Sequence, residues 1–105
     1  EHHEESYVMF LNRANKALGV SLISKGGMAE TVMDVKIILQ TALKVHASGI
    51  ILSHNHPSGN LCPSEPDKRI TSKIKEACKC LDLVLLDHII LTDEHYYSFT
   101  DEGLI

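Results

Sequence analysis

Tryptophan is absent from this chain of 105 residues, aromatic residues make up only 5% of it, and cysteine occurs three times. A core without large aromatic side chains must be built mainly from Leu, Ile, Val and Met. The 44% of hydrophobic residues is enough for one such core. The odd number of cysteines gives no indication of a disulfide framework, so we expect Cys62, Cys78 and Cys80 to be reduced thiols.

Basic residues are fewer than acidic ones: the chain has 10 Lys and Arg against 14 Asp and Glu, which gives a formal net charge of −4. This balance argues against broad contact with a nucleic-acid backbone, which needs clustered positive charge. No apolar run approaches the roughly 18 residues that cross a bilayer, and no signal peptide is visible. We therefore expect a cytoplasmic protein with no membrane contact. The abrupt start of the chain suggests that residues 1–105 are a single domain excised from a longer protein.

The hydrophobic pattern predicts alternating strands and helices. A hairpin is expected first, and a break follows it at Gly26-Gly27. A helix capped by Asp34 comes next and ends before Gly49, where a short run reads as a strand buried on both faces and central in a sheet. A second amphipathic helix and further apolar runs on either side of Asp87 complete the chain. The predicted strands cover 7–11, 18–23, 49–53, 83–86, 88–91 and 96–99, and the second helix covers 64–81. This order predicts an α/β fold with a mixed sheet, whose helices can pack on opposite faces.

Two histidines follow the predicted central strand, in the sequence His54-Asn55-His56-Pro57-Ser58-Gly59. In an extended chain, alternate side chains point to the same face, so both imidazoles project together. Asp67 lies eleven residues beyond the second histidine, in the first turn of the second predicted helix. Two imidazole nitrogens and one carboxylate suit zinc and leave a fourth position for water, as in catalytic sites.

The segment Ser64-Glu65-Pro66-Asp67 also reads as a helix N-terminal capping box. Capping alone would explain both Ser64 and Asp67, although a helix start can also hold a metal ligand on a rigid element. The motif favours Asp67 as a ligand. Spacing alone favours Ser64 as a cap over Ser64 as a donor to an oxyanion.

Other polar residues near the motif are open to two interpretations. Cys62 could approach the metal, but it is expected to be a small buried hydrophobe. Asp87, next to His88 in an apolar strand, needs hydrogen bonds or a charge partner if it is buried; it could support the metal histidines or belong to a structural polar pair with His88. His46 and His95 lack partners in the sequence and are expected to be surface or core residues.

A water bound to the metal would need a general base. The acidic candidates at the start of the chain are Glu1, Glu4 and Glu5, and spacing does not choose among them.

Two nucleic-acid-related alternatives fit the residues less well. The letters His-Asn-His suggest an HNH-type nuclease, but the three residues are contiguous and the acidic balance of the chain argues against it. A zinc deaminase requires His-x-Glu and a later Pro-Cys-x-x-Cys. This chain has His56 in place of the glutamate and only Cys78-Lys79-Cys80, on a predicted helix.

Together, His54-x-His56-Pro57 and Ser64-x-x-Asp67 resemble the JAMM (MPN+) metalloprotease motif. Further segments resemble one branch of it, the bacterial RadC-like JAB/MPN domains, over essentially the whole chain. These segments are Leu11-Asn12-Arg13-Ala14-Asn15, Pro57-Ser58-Gly59, Asp87-His88 and Tyr97-Ser98-Phe99. The resemblance implies a three-layer α/β/α sandwich similar to cytidine deaminases. In longer members of the branch, a helix-hairpin-helix region precedes this domain.

The resemblance also implies a zinc-dependent peptidase or isopeptidase. It implies that His54, His56 and Asp67 hold Zn²⁺ and that Ser64 stabilises the tetrahedral intermediate. The glutamate that acts as the general base in the family aligns best with Glu4, with Glu5 as the second choice. Asn55 replaces the Ser or Thr of deubiquitinating members, and the chain has no room for their substrate-binding insertions. The alternative function is a non-catalytic binding module of a protein associated with DNA repair, although nothing in these residues supports DNA contact.

Overall fold

The computed structural model describes residues 4–26 and 33–105, in which five strands and two helices follow the predicted order. The elements are β1 (Glu4–Leu11), β2 (Ala17–Gly26), α1 (Val35–Lys44), β3 (Gly49–Asn55), α2 (Glu65–Cys80), β4 (Val84–Leu91) and β5 (Tyr96–Ser98). The two apolar runs around Asp87 form the single strand β4. Gly26 ends β2, whereas Gly27 and Glu1 lie outside the described residues.

Both helices begin at the residues whose side chains were predicted to cap them. The carboxylate of Asp34 accepts hydrogen bonds from the backbone N–H groups of Lys36 and Ile37, which have no partner within the helix. Ser64 caps α2 in the same way, and Pro66 lies in the first turn, where its missing N–H is not needed. Neither helix in the described part of the chain is long and apolar enough to cross a membrane.

The five strands form one mixed sheet in the order β2-β1-β3-β4-β5. β1 pairs antiparallel with β2 and β3, β3 pairs parallel with β4, and β4 pairs antiparallel with β5. β3 is therefore central, as predicted, and carries the motif histidines at its carboxyl end. The register places Ser6 opposite His54 across the β1–β3 pair and His88 opposite Leu52 across the β3–β4 pair.

Both helices lie on the same face of the sheet. The strands β2, β3 and β4 run parallel to one another. Going across the sheet from β2 to β5, they also occur in the same order as in the sequence. Right-handed crossovers β2-α1-β3 and β3-α2-β4 must then lie on one face. In agreement, Ile38 and Ala42 of α1 share one buried cluster with Ile74 and Cys78 of α2. That cluster also contains strand residues of a single face: Val8, Phe10, Ile50 and Leu52.

The opposite face of the sheet is only partly covered by the described residues. Tyr7 and Met9 of β1 and Val20 and Leu22 of β2 are exposed there, at 36% to 58% of their full accessible surface. On β3, Ile51 is half-buried on this side, so the strand is not buried on both faces as predicted. The predicted three-layer sandwich is therefore not confirmed within residues 4–26 and 33–105, where helices cover one face only.

Candidate metal centre

The end of β3 and the turn after it position the two motif histidines. His54 is on the core face of β3 and is only 3% exposed. Strand-like pairing continues one residue past β3, because the backbone N–H of His56 donates to the carbonyl of Leu91 at 2.8 Å. The chain then turns at Gly59, whose N–H donates to the carbonyl of His56 and whose φ of 84° lies in the region that favours glycine.

The start of α2 positions the third residue of the set. Asp67 and Ser64 form a complete capping box: the Ser64 hydroxyl accepts from the Asp67 N–H at 3.1 Å, and Asp67 Oδ2 accepts from the Ser64 N–H at 2.8 Å. The capping interpretation of both residues is therefore confirmed. The same hydrogen bonds fix the Asp67 carboxylate at the helix N-terminus, beside the histidines.

His54, His56 and Asp67 converge on one point. His54 Nε2 and His56 Nε2 are 2.9 Å apart, Asp67 Oδ1 lies 3.4 Å from His54 Nε2, and Asp67 Oδ2 lies 3.5 Å from His56 Nε2. Zinc bonds of about 2.0–2.1 Å at tetrahedral angles place neighbouring ligand atoms about 3.3 Å apart. The two distances to Asp67 involve its two different oxygens, and the candidate ligand atoms all lie within 4.8 Å of one another, so the set is compatible in size and donor type with a divalent metal ion such as Zn²⁺. The sequence prediction that these residues come together is confirmed.

The polarity of the site also favours a cation. His56 Nδ1 lies 2.7 Å from the carbonyl oxygen of Asn60, which can only accept a hydrogen bond. In the neutral ring Nδ1 therefore carries the proton, and Nε2 presents a lone pair to His54 and Asp67. The other ring nitrogen of His54, Nδ1, contacts His88 Nε2 at 2.8 Å.

Asp67 is ionised in this setting. Partial burial on its own would raise its pKa, but contacts with His54 and Ser64 outweigh burial and hold the pKa well below its usual range. The carboxylate therefore brings a negative charge to a site that otherwise consists of two imidazoles. A bound divalent cation would offset that charge.

His88 is the part of the Asp87-His88 pair that reaches the site. Its ring is fully buried, stacks on Phe99 at a centroid distance of 4.7 Å, and contacts His54 on one edge and Thr71 on the other. Burial and the neighbouring His54 lower the pKa of His88 to about 3, although Asp67 and Asp87 partly oppose the shift. The neutral ring of His88 therefore contacts His54 from the core side, a position that the sequence analysis had considered for Asp87 and not for His88.

Asp87 has the structural role of the two that were considered for it, although its partners lie elsewhere than in the metal centre. Asp87 Oδ2 accepts from the hydroxyl of Ser98 at 2.6 Å, and Oδ1 accepts from the backbone N–H of Thr100 at 3.0 Å. These bonds tie the turn after β5 to β4. Asp87 is thus a structural residue, and its hydrogen bonds explain how a carboxylate is tolerated within an apolar strand.

Thr71 is a site residue that the sequence analysis did not identify. It is buried in α2 and lies on the same helix stripe as Ile74 and Cys78, at positions i, i+3 and i+7. A hydroxyl within an otherwise apolar stripe was the available signal.

Cys62 is exposed and lies outside the group of three possible ligands, so its prediction as a buried residue was wrong. His46 and His95 are exposed at the surface.

The two candidate general bases that the structure describes lie on different faces of β1. Glu4 lies two residues before Ser6 in the strand, so both side chains are on the same face of β1. Ser6 is buried and pairs with His54 of β3. Glu5 belongs to the alternate set with Tyr7, whose hydroxyl donates to Glu5 Oε1 at 2.9 Å. The Glu5 N–H in turn donates to the side chain of Asn55.

Comparison with known proteins identifies close relatives. A family model described as RadC-like JAB domain matches residues 1–104. The chain is 52% identical over 102 residues to a UPF0758 protein of Flavobacterium johnsoniae and 44% identical over 103 residues to one of Porphyromonas gingivalis, covering 97% of this chain in each case. It is 37% identical over its full 105 residues to a UPF0758 protein of Aquifex aeolicus. It spans only 44% to 46% of the length of these three relatives.

Proposed function

Because this chain belongs to the family of RadC-like JAB domains, we propose that it is a zinc-dependent hydrolase of the JAMM type that cleaves a peptide or isopeptide amide bond. His54, His56 and Asp67 would hold the metal ion. Glu4 and Ser64 would act on the substrate.

One observation carries the proposal: two imidazole Nε2 atoms face each other at 2.9 Å beside an ionised carboxylate. The His56 tautomer makes its Nε2 an acceptor, and Asp67 is an acceptor as well. Acceptors converging at this distance repel one another unless a proton or a cation lies between them. Two imidazoles and one carboxylate are also the protein ligands found in open, catalytic zinc sites.

The bound metal would supply Lewis acidity, which polarises a carbonyl and lowers the pKa of a water toward about 7. The chain itself must supply a group that accepts a proton and later returns it to the leaving amine. Glu4 is the better candidate, because strand alternation puts it on the face of β1 that carries Ser6 and faces His54. Glu5 is on the opposite face and engages Tyr7.

Ser64 would stabilise the negative charge that develops on the carbonyl oxygen. Its oxygen accepts the Asp67 N–H, so its own O–H remains free of the capping box and can donate. Hydrogen-bond donors of this kind contribute on the order of 3 kcal/mol to catalysis. The cap and the catalytic role are therefore compatible, since they use different parts of one hydroxyl.

The test is a comparison of metal content and amide hydrolysis in four proteins purified without chelator or metal-affinity tag. We expect the wild type to bind one Zn²⁺ and to cleave peptide or isopeptide substrates from a pooled library. His56→Ala should lose the metal and the activity. Glu4→Gln should keep the metal and lose turnover, because only the proton acceptor has been removed.

Glu5→Gln is the matched control, since it makes the same chemical change one residue away on the opposite face of β1. We expect it to retain both metal and turnover. Equal turnover in all four proteins would contradict the proposal. Loss of turnover in Glu5→Gln alone would assign the general base to Glu5.

A further inference from the structure

Three hydrogen bonds run from the candidate metal centre into the protein core. His54 Nδ1 contacts His88 Nε2 at 2.8 Å, His88 Nδ1 contacts Thr71 Oγ1 at 2.6 Å, and Thr71 Oγ1 donates to the backbone carbonyl of Asp67 at 2.6 Å. All of these side chains except Asp67 are at least 97% buried. Water therefore has little access to the contacts.

The last hydrogen bond fixes the direction of the other two. A backbone carbonyl only accepts, so the single hydroxyl proton of Thr71 points to Asp67. Thr71 Oγ1 must then accept a hydrogen bond from the N–H at His88 Nδ1. The His88 ring is fully buried against Phe99 and has no carboxylate hydrogen-bonded to it among the described residues, which favours the neutral form.

A neutral His88 with its proton on Nδ1 can only accept at Nε2. His54 must therefore donate from its Nδ1, and the lone pair of His54 is placed on Nε2. Nε2 is the atom that faces His56 and Asp67. The series of hydrogen bonds therefore begins at the Asp67 carbonyl and ends at His54, whose Nε2 lies 3.4 Å from the Asp67 carboxylate.

We propose that His88 and Thr71 are positioning residues that hold His54 in the tautomer able to bind a metal. The inference rests on the proposed metal site but adds two residues to it. Without the Thr71 hydroxyl, His88 can move its proton to Nε2 and donate to His54. The lone pair of His54 would then lie on Nδ1, on the side away from His56 and Asp67.

The test compares four variants by Zn²⁺ affinity, measured in competition with a chromophoric chelator. Thr71→Val keeps the shape of the side chain and removes the hydroxyl, whereas Thr71→Ser keeps the hydroxyl. His88→Phe removes the acceptor, whereas the amide oxygen of His88→Gln can still accept from His54. Outer residues that orient metal-binding histidines typically contribute about 10–100-fold to metal affinity. We expect losses of that size in Thr71→Val and His88→Phe, and affinities near that of the wild type in Thr71→Ser and His88→Gln.

A second readout separates positioning from a general role in stability. The ¹⁵N shifts of the His54 ring report which nitrogen carries the proton. We expect Nδ1 to carry a proton in the wild type, with and without Zn²⁺, and to lose it in part in Thr71→Val. A residue that only supports folding would change the melting temperature and leave the His54 tautomer unchanged.

The outcomes distinguish this inference from the proposed function. Wild-type protein that hydrolyses amides with Zn²⁺, together with a Thr71→Val variant of unchanged affinity and His54 tautomer, would overturn the positioning role and leave the hydrolase intact. If wild-type His54 carries its proton on Nδ1 but the protein has no affinity for Zn²⁺, the proposed function would be wrong. The assigned directions of the hydrogen bonds among His54, His88 and Thr71 would still hold. A His54 Nδ1 that carries no proton in the wild type would overturn the inference directly.

Discussion

Asp67 has two roles in this account, as a helix cap and as a metal ligand, and the substitution Asp67→Asn separates them. Asn can still accept the Ser64 N–H, so the capping box survives in part. The loss of negative charge at a helix N-terminus costs about 0.3–1 kcal/mol. For a domain of this size, 1 kcal/mol corresponds to a shift in melting temperature of about 4–8 °C. We therefore expect the metal-free variant to fold and to melt a few degrees below the wild type.

Zinc should change this comparison. At a free Zn²⁺ concentration 1,000 times the dissociation constant, binding stabilises the wild type by about 4.1 kcal/mol. We take a 100-fold loss of affinity as a lower bound, because 100-fold is the upper end for residues that only orient a ligand. The same Zn²⁺ concentration would then stabilise Asp67→Asn by about 1.4 kcal/mol or less. Thermal unfolding in EDTA and in a buffer of fixed free Zn²⁺ measures this difference.

Glu65→Gln is the matched control for Asp67→Asn. Glu65 lies in the same first turn of α2, is 75% exposed, and pairs at the surface with Lys68. This change removes one negative charge from the same helix terminus without touching His54 or His56. We expect a similar small cost in EDTA and the full stabilisation by zinc. Equal zinc-dependent stabilisation of Asp67→Asn and Glu65→Gln would refute the assignment of Asp67 as a ligand.

Two further predictions concern groups outside the metal centre. Burial raises the pKa of the Cys78 thiol to about 11, so a thiol reagent at pH 8 should modify the exposed Cys62 and Cys80 rapidly and Cys78 only after unfolding. Because that folded pKa is raised, the free energy of unfolding should fall between about pH 9 and about pH 11, and Cys78→Ala should remove this part of the pH dependence. Ser6→Ala removes a buried hydroxyl that has no hydrogen-bond partner within residues 4–26 and 33–105, so denaturant unfolding should show stability unchanged or raised by up to about 1 kcal/mol. Ser98→Ala, which deprives Asp87 of a donor, should instead cost about 1–3 kcal/mol, and a comparable loss in Ser6→Ala would contradict the prediction.

The features that the sequence predicted well are those decided by short-range contacts. The starts of both helices follow from Asp34 and Ser64, whose side chains bond to N–H groups within three residues. The grouping of His54, His56 and Asp67 was predictable because strand alternation aligns the two histidines and a helix start fixes Asp67. Each of these steps needs only a few neighbouring residues.

The features that were missed depend on how distant elements pack. The contact between Thr71 and His88 joins α2 to β4, and no periodicity in either element indicates the partner. Asp87 appeared to interrupt an apolar strand because its partners, Ser98 and Thr100, lie beyond the next turn. The placement of both helices on one face follows from crossover handedness only once the strand order is known.

X-ray absorption at the zinc edge, on protein loaded with one equivalent of Zn²⁺, would identify the ligands of the metal directly. We expect two imidazole nitrogens at about 2.0–2.1 Å and a carboxylate oxygen at about 2.0–2.2 Å, and we expect the imidazole signal to be lost in His56→Ala because that variant no longer holds the ion. A sulfur shell at about 2.3 Å, or a spectrum that His56→Ala leaves unchanged, would contradict the assignment of His54, His56 and Asp67 as the metal ligands.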